Sequence, residues 1–338
     1  MSVQTRAAAW SLPSMDAQPD SAPVAVVESV RRFRAMATDV TLRVVEPTAF
    51  ADDALDRAED VFRRVESSCT RFDPDSPLMR ANASPTQWHG VPAECLRAVA
   101  EAARAHLETD GAFDPRVLET LVASGYDRTR DFEDHEVRLG THAPRPPAPS
   151  DSGPWLPGID ESTSSIRIGA RPIDLGGIGK GLAVRWAQGE LAGSGRSVLV
   201  EAGGDCSFSG AGPRDVGWSV GIEDPRGGDR PIAVLGLADR ACATSSLRIR
   251  RWWVDGVPTH HLIDPRTGLP GGDGLLSVTV VDGDPARAEV WSKSLFLAGA
   301  DGIAAESDRR GIAAVWVTTT GATGRSEAIA PYLTLESA

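Results

Sequence analysis

Hydrophobic residues recur along the chain with two periods, one typical of strands and one typical of helices. Between Thr38 and Val45 they alternate with polar residues, which predicts a half-buried strand. From Ala54 to Val65, and again from Leu96 to Leu107, they return every three or four positions, as on one face of an amphipathic helix. A third helix is predicted from Asp284 to Gly299, because apolar residues again share one face and a glycine follows.

Further short apolar runs bounded by turn residues predict the remaining strands. They are Ser197–Val200, Trp218–Ile222, Ile232–Leu237, Ala313–Thr318 and Glu327–Ala330. We expect the first two to lie in one central sheet and the last two to pair with each other. Strands and helices alternate without a regular βαβ rhythm, so the pattern favours an α+β fold, with a mixed, largely antiparallel sheet core and flanking helices.

Two segments lack any hydrophobic period. Residues 1–29 mix Ser, Pro, Asp and Ala, which predicts a disordered leader before one domain spanning residues 30–338. Residues 140–158 are rich in Pro, Ser and Gly and predict a surface loop.

Composition narrows the class of protein. The chain has 338 residues, of which 41% are hydrophobic and 24% charged, as in globular proteins. A net charge of −12 argues against a nucleic-acid partner and against docking on anionic lipid. Four cysteines lie far apart, without a Cys-x-x-Cys pair, and no apolar run is long enough to span a membrane or form a signal peptide. We expect a cytoplasmic protein with reduced thiols.

A glycine-rich segment from Ile173 to Gly181 has the sequence IDLGGIGKG. A hairpin whose return strand is Ile173–Leu175 is predicted to deliver it, and a helix with Leu182 on its apolar face follows. The free N–H groups at that helix's start would suit a phosphate. The segment is not a P-loop, because Gly181 stands where Ser or Thr is required, and it lacks the Rossmann glycine spacing. A plain strand-to-helix turn is the alternative.

The segment from Asp174 to Gly181 resembles the signature of the ApbE family, the FAD:protein FMN transferases. Further blocks resemble that family in the same order along the chain. They are Met36-Ala37-Thr38, Gly111-Ala112-Phe113-Asp114-Pro115, Gly203-Gly204-Asp205, Ala243-Thr244-Ser245 and the segment from His260 to Gly268, HHLIDPRTG. The family usually has Gly where Ala37 stands, which matters if the backbone there needs a positive φ. Many relatives are exported lipoproteins, so the absence of a signal sequence is a departure.

The resemblance implies that FAD is the substrate and that its FMN half is transferred to a Ser or Thr hydroxyl of an acceptor flavoprotein, with AMP as the leaving group. Such phosphoryl transfer depends mainly on positioning and on neutralising charge. Two alternatives remain: an FAD pyrophosphatase that releases FMN and AMP, and a non-catalytic FAD-binding protein.

The resemblance also implies roles for single residues. His261 and Asp264 would be catalytic, and Lys180 would face the diphosphate or the flavin. The other residues implied in binding FAD are Met36, Asp114, Asp174, Gly176, Gly177, Gly204, Asp205, Thr244, Ser245 and Thr267. Two alternatives stay open: His261 could be a structural histidine, and Asp264 could cap the Asp-Pro-Arg-Thr-Gly turn instead of orienting His261. His260 would point to the opposite face of its strand.

The metal site implied by the family departs most from the usual pattern. Relatives place Asp and, four residues later, Thr on one helix face, where both bind Mg²⁺ with a carbonyl at the position of Gly179. This chain has Glu289 and Lys293 there. Glu289 could still bind Mg²⁺; the two residues could form only a surface pair worth about 0.3–0.5 kcal/mol; or the Lys293 ammonium could take the place of the cation.

Overall fold

The computed structural model describes residues 26–128, the backbone of 138–139, and residues 153–248, 250–254 and 256–336. Its strands are β1 Glu28–Ala35, β2 Thr38–Pro47, β3 His89–Gly90, β4 Arg138–Leu139, β5 Gly158–Asp160, β6 Ser165–Arg167, β7 Gly195–Ala202, β8 Asp205–Ser209, β9 Trp218–Ile222, β10 Ala233–Leu237, β11 Arg240–Ser246, β12 Arg251–Val254, β13 Val257–His260, β14 Ile263–Asp264, β15 Leu269–Pro270, β16 Leu275–Asp282, β17 Ala313–Thr318, β18 Thr323–Arg325 and β19 Leu333–Glu336.

Seven α-helices accompany these strands in the described part of the chain. They are α1 Ala51–Cys69, α2 Pro77–Ala83, α3 Ala93–Glu108, α4 Leu118–Ala123, α5 Gly179–Glu190, α6 Pro285–Leu297 and α7 Gly299–Arg310. Two 3₁₀ turns span Pro115–Val117 and Glu327–Tyr332. The helices predicted from the hydrophobic period correspond to α1, α3, α5 and α6.

An eight-stranded sheet forms the centre of the molecule, in the order β1-β2-β7-β8-β11-β16-β17-β18. Every neighbouring pair in it is antiparallel. This confirms the predicted α+β class with a largely antiparallel core. A parallel pair occurs only between β12 and β4 among the described strands, in a small separate sheet.

Each face of the large sheet is covered by a different layer. On one face α1 and α5 pack on β2 and β7, and α6 and α7 pack on β16 and β17. On the other face a three-stranded sheet of β19, β10 and β9 packs through a buried apolar cluster. A further cluster joins α3 to α5 and α6 at the edge of the helical layer. The glycine-rich loop lies in this last region, since Ile173, Leu175 and Ile178 belong to its cluster.

The first hairpin turns at Met36 and Ala37, which have φ of 52° and 57°. Two consecutive left-handed residues fit a type I′ turn, which favours glycine at both positions. Position 37 therefore does require a positive φ, which the family's usual glycine adopts easily, and Ala37 adopts it although it has a Cβ. Strand β1 begins at Glu28, so Glu28 and Ser29, assigned above to the leader, pair with β2. Residues 1–25 of the predicted leader lie outside the described residues.

The predicted return strand Ile173–Leu175 is wrong, because this segment is irregular. The Ile173 N–H donates to Oδ1 of Asn82 at 2.9 Å, and Nδ2 of Asn82 donates to the Ile173 carbonyl at 2.9 Å. One buried side-chain amide therefore takes the place of a neighbouring strand. The next N–H, that of Asp174, donates to the carbonyl of Pro115 at 2.7 Å. The loop is consequently fixed without belonging to a sheet.

Two other predictions are wrong. Strand β9 lies in the three-stranded sheet with β10 and β19, and not in the eight-stranded central sheet. Its Trp218, Val220 and Ile222 bury their side chains in the cluster between these two sheets. The segment Glu327–Ala330 is a 3₁₀ turn and not a strand; β18 already pairs with β17 there, and the Glu327 N–H donates to Asp308 at 3.1 Å. Most of the predicted surface loop at 140–158 lies outside the described residues. Within the part of the chain that is described, no helix is long and apolar enough to cross a membrane.

Candidate active site

A cleft of about 450 Å³ opens beside the glycine-rich loop. This size is typical of small-molecule sites. The β1–β2 turn, the end of α1 and the start of α5 form its walls, with residues from the loop after α3 and from the inner face of α6. The structure therefore brings together segments that are up to about 260 residues apart in the sequence, from Met36 to Leu297.

Helix α5 crosses close to α6 at Gly181. An added Cβ on Gly181 would lie 2.6 Å from the Pro285 carbonyl oxygen and 2.6 Å from Cα of Ala286, so the helices can approach this closely only at a glycine. The Gly181 N–H, in the first turn of α5, donates to Oε2 of Glu289 on α6 at 2.8 Å. One of the N–H groups expected to face a phosphate is thus already bonded to a carboxylate of the protein.

Four charged side chains form a cluster at the floor of the cleft. The Lys180 ammonium contacts the Asp205 carboxylate and lies 2.9 Å from Oε1 of Glu289. The Lys293 ammonium lies 3.0 Å from the same Glu289 oxygen. Only 1–2% of the two carboxylate side chains is exposed, against 15% of Lys180 and 19% of Lys293. The lysines, and not the acids, therefore face the cleft, and both line it.

The protonation states in this cluster follow from burial opposed by neighbouring charge. Burial would raise the pKa of Glu289, but Lys180, Lys293 and the Gly181 N–H outweigh it and lower that pKa to about 2. Burial also disfavours the Lys180 ammonium, yet Asp205 and Glu289 raise its pKa. Burial lowers the pKa of Lys293 and raises the pKa of Asp205, and the attraction of Glu289 and of Lys180, respectively, opposes these shifts. With all four groups charged, two positive and two negative charges cancel.

These are the only two lysines among the 338 residues, beside 33 arginines. A guanidinium is planar and large, whereas an ammonium is a compact point charge with three donors. Two ammonium groups can therefore approach one carboxylate oxygen where two guanidinium groups would crowd each other. The rarity of lysine is a sequence signal that could have linked Lys180 to Lys293 before the structure was known.

His261 lies on the cleft wall, next to this cluster. Its Nδ1 is 3.2 Å from the carbonyl oxygen of Arg250, which can only accept, so Nδ1 carries the hydrogen and Nε2 the lone pair. Burial, and then the charge of Arg250, holds the pKa of His261 well below its usual range. The imidazole is therefore neutral at pH 7 and able to accept a proton. His260 lies edge-on to the Phe296 ring instead, with 6.2 Å between the ring centroids.

Sequence reasoning assigned no role to Arg71, although it is the most enclosed cation of the cleft. Its guanidinium lies 4.2 Å from the Phe72 ring centroid and 4.4 Å from that of Tyr126, while Nη1 donates to the Tyr126 carbonyl at 2.6 Å. Nε lies 3.4 Å from Asp174. The Arg71 Nη2 is buried without a hydrogen-bond partner within the described residues. A buried donor of this kind is stabilised by a polar ligand group.

The residues implied by the resemblance divide into two sets. The cleft is lined by Met36, Asp114, Asp174, Gly176, Gly177, Gly179, Lys180 and His261. The structure does not place the others on its wall: these are Gly204, Asp205, Thr244, Ser245, Asp264, Thr267 and Glu289. Asp205 and Glu289 act behind the wall by holding Lys180. Gly204 closes the β7–β8 hairpin with φ of 97°.

Most of the second set, and Asp114 of the first, already bond to other parts of the protein. Asp264 accepts from the backbone N–H of Arg266 at 2.9 Å and from its guanidinium at 2.8 Å, as a residue that caps its own turn does. Asp114 is likewise bonded to the Arg116 guanidinium at 2.7 Å. Thr244 pairs with Thr279, Ser245 pairs with Ser292, and Thr267 accepts from the N–H of Leu269, at 2.8–3.2 Å.

The side chains present do not fit the Mg²⁺ site of the family. Lys293 has donors and no lone pair while charged, so it cannot be a ligand. Its ammonium lies 3.0 Å from Oε1 of Glu289, so this carboxylate oxygen already has a cationic partner.

Comparisons with known proteins agree with this architecture. The sequence profile of the ApbE family matches residues 36–316. The chain is 27% identical over 271 residues to the FAD:protein FMN transferase of Vibrio cholerae, covering 78% of this chain and 79% of that protein. It is 27% identical over 333 residues to that of Salmonella typhimurium, covering 93% and 91%.

Solved structures show the same fold. The crystal structure of the ApbE protein from Thermotoga maritima gives a TM-score of 0.75 at 27% identity, covering 90% of this chain and 99% of that one. The flavin transferase ApbE from Vibrio cholerae gives 0.75 at 22% identity, covering 91% and 100%. Because the family profile spans well over half of the sequence and this fold is shared, the chain belongs to the ApbE family.

Proposed function

We propose that this protein transfers the FMN half of FAD to a Ser or Thr hydroxyl of an acceptor flavoprotein. Family membership and the name of the curated relatives, FAD:protein FMN transferase, support the reaction class. The observation that carries the proposal is the position of His261. A neutral imidazole with its lone pair on Nε2 lies on the same cleft wall as the ammonium groups of Lys180 and Lys293.

The residues of the cleft divide the chemical work. The acceptor oxygen forms a bond to the FMN phosphorus while the bond from that phosphorus to the bridging oxygen breaks and AMP leaves. The hydroxyl proton passes to Nε2 of His261, whose Nδ1–H is held by the Arg250 carbonyl. Positive charge on this side of the cleft, from Lys293 and Arg250, stabilises the negative charge that builds up on the leaving phosphate. Asp205 and Glu289 hold Lys180 in position.

The reaction is tested by incubating the protein with FAD alone and with candidate acceptor flavoproteins. AMP, free FMN and flavin attached covalently to protein are then measured. Covalent flavin with an equal amount of AMP is expected when the correct acceptor is present. Release of AMP and free FMN at the same rate in every mixture would indicate a pyrophosphatase. Binding of FAD without release of AMP in any mixture would indicate a non-catalytic binding protein.

We predict that His261→Gln lowers turnover at least 100-fold while the Kd for FAD changes by less than about threefold, since a general base acts mainly in the transition state. His260→Gln is the matched control, because the neighbouring imidazole lies off the cleft wall, and it should retain turnover near that of the wild type. The two parameters are obtained from covalent labelling rates and from calorimetry. Wild-type labelling by the His261→Gln variant would refute the assignment.

We also propose a cytoplasmic location, as predicted from the sequence. Its support is that all four cysteines are buried and free, with Cys206 and Cys242 directly opposite each other on neighbouring strands. Thiol pairs of this kind persist in a reducing compartment. The acceptor would accordingly be a protein, or a protein domain, of that compartment.

A further inference from the structure

We propose that the Lys293 ammonium is a built-in cation that takes the place of a metal ion at the substrate's diphosphate. The inference rests on the proposed function for the identity of the substrate. The placement of the charge itself rests on the contacts of the cluster formed by Lys180, Asp205, Glu289 and Lys293.

The first argument is position. Lys293 projects from α6 toward the glycine-rich loop, where its Cδ lies 3.5 Å from the site of a Cβ on Gly177. Its side chain lines the cleft and keeps 19% of its surface exposed, although Glu289 beneath it is 1% exposed. One face of the ammonium is thus bonded to the protein, and hydrogen-bond donors remain for a ligand oxygen in the cleft.

The second argument is charge. Lys180 and Lys293 together neutralise Asp205 and Glu289, so the cluster has a net charge of zero. A divalent cation bound to the same carboxylates would raise the net charge of the cluster to +2, because the two ammonium groups would remain in contact with Asp205 and Glu289. Like charges at such distances repel strongly in a site with little water. With Thr in place of Lys293 the cluster would instead carry −1, with carboxylate and hydroxyl oxygens free to bind a metal.

The third argument is geometry. Lys180 and Lys293 share a single oxygen, Oε1 of Glu289, at 2.9 and 3.0 Å. The other oxygen, Oε2, is bonded to the Gly181 N–H. Both oxygens of this carboxylate therefore already bond to groups of the protein, and the Lys293 ammonium lies between Glu289 and the cleft.

The test uses the fact that the sequence has only two lysines. In protein labelled with [¹⁵N]lysine, the side-chain Nζ region of the NMR spectrum contains two signals, which the variant Lys293→Arg assigns. FAD added in EDTA is expected to shift the Lys293 signal. In a second sample, which contains FAD and paramagnetic Mn²⁺ but no EDTA, both signals should stay sharp. Broadening of both by stoichiometric Mn²⁺ would show a metal in the cluster and overturn the proposal.

Affinity for FAD provides the second readout, measured by calorimetry in EDTA and in Mg²⁺. The wild type should have the same affinity for FAD in both buffers, whereas Lys293→Met should bind FAD at least tenfold more weakly than the wild type in both. Lys293→Thr should bind weakly in EDTA and recover at least tenfold in Mg²⁺. Wild-type affinity for FAD in Lys293→Met, with an unchanged melting temperature, would overturn the proposal.

A failure of the proposed function can be told apart from a failure of this inference. If neither the wild type nor any variant binds FAD in either buffer, the substrate assignment is wrong. The broadening of the lysine signals by Mn²⁺, compared between the wild type and Lys293→Thr, still decides whether the cluster excludes a metal. If FAD binds and Mn²⁺ broadens the wild-type signals, the substrate assignment stands and the built-in cation is refuted.

Discussion

At the scale of single residues, each charged side chain of the four-charge cluster at the floor of the cleft is fixed by a neighbour of opposite charge. Glu289 is almost fully buried, yet it stays ionised because two ammonium groups and one backbone N–H contact its two oxygens. Removing one partner of a buried pair costs more than the pair contributes, since the remaining charge is left without compensation. The four-charge cluster is therefore best understood as a device for placing two ammonium groups, and not as a source of stability.

The two neighbouring histidines provide a prediction about pH. Burial lowers the pKa of His260 to about 4, below its usual value near 6.5. The unfolded chain therefore binds more protons between pH 4 and 6.5, so the free energy of unfolding rises with pH across that window and levels off above it. We expect His260 to contribute about 2–3 kcal/mol to this rise.

The variant His260→Gln removes this contribution. Relative to the wild type, it should be more stable at pH 4.5 than at pH 7.5 by roughly 2 kcal/mol. Urea unfolding of both proteins at the two pH values measures this difference. Parallel pH profiles of the two proteins would mean that His260 titrates normally in the folded state.

At the scale of elements, side chains and close helix contacts fix the loop that forms the cleft. Asn82, at the end of α2, binds the Ile173 backbone through both its amide atoms and so replaces a strand that the hydrophobic alternation had predicted. At the other end of the loop, α5 approaches α6 at Gly181. The loop is held from both ends, and its position relative to α6 determines how Lys180 and Lys293 meet.

Two glycines of α5 provide a matched test of that approach. An added methyl at Gly181 would meet α6 at 2.6 Å, whereas nothing lies within 4 Å of one at Gly189, which is exposed on the same helix. Gly181→Ala should therefore lower the free energy of unfolding by about 1–3 kcal/mol. Gly189→Ala should raise it by roughly 0.5–1 kcal/mol through helix propensity alone.

Urea unfolding gives both free energies, and calorimetry shows whether FAD binding changes with them. Gly181→Ala should also weaken FAD binding, because moving α5 away from α6 separates Lys180 from Lys293. Equal stability changes in the two variants would show that the helices do not meet at Gly181.

At the scale of the whole molecule, the sheet is buried between two layers, and the three apolar clusters of the helical layer share helices. Helix α5 contributes Leu182 to the cluster with α3 and Ala187 to the cluster on β2 and β7. Helix α6 likewise contributes Val290 to the first cluster and Trp291 to that on β16 and β17. Strands of the large sheet join the two faces in turn, since β2 gives Val44 to a helical cluster and Val45 to the cluster between the sheets. Because helices and strands each belong to several clusters, we expect no layer to unfold by itself.

Thiol reactivity tests this expectation. Cys95 lies in the helical cluster, while Cys206 and Cys242 lie in the cluster between the sheets, and each is at most 2% exposed. In a Cys69→Ala background, which removes the thiol that lines the cleft, all three should react with an aromatic disulfide reagent at one common rate, that of global opening. Two separate rates would show that the layers open independently.

The sequence by itself determined the elements whose signal is local. The alternation of β2 and the helical period of α1, α3 and α6 are visible within a single segment, because burial on one face repeats with the geometry of that element. The blocks shared with the ApbE family lie along the chain in the family's order, which identified the family and eight of the residues that line the cleft. The net charge of −12 likewise required any cationic site to be local.

Only the tertiary structure decided what depends on partners distant in sequence. Asn82 takes the role of a strand for Ile173 from 91 residues away, and Arg71 is enclosed by Tyr126 from 55 residues away. Lys180 and Lys293 meet on one oxygen of Glu289 because α5 and α6 cross at a glycine. The i,i+4 spacing of Glu289 and Lys293 is the same for a solvated surface pair and for a buried ion pair. Burial distinguishes the two cases, and burial is a property of the whole fold.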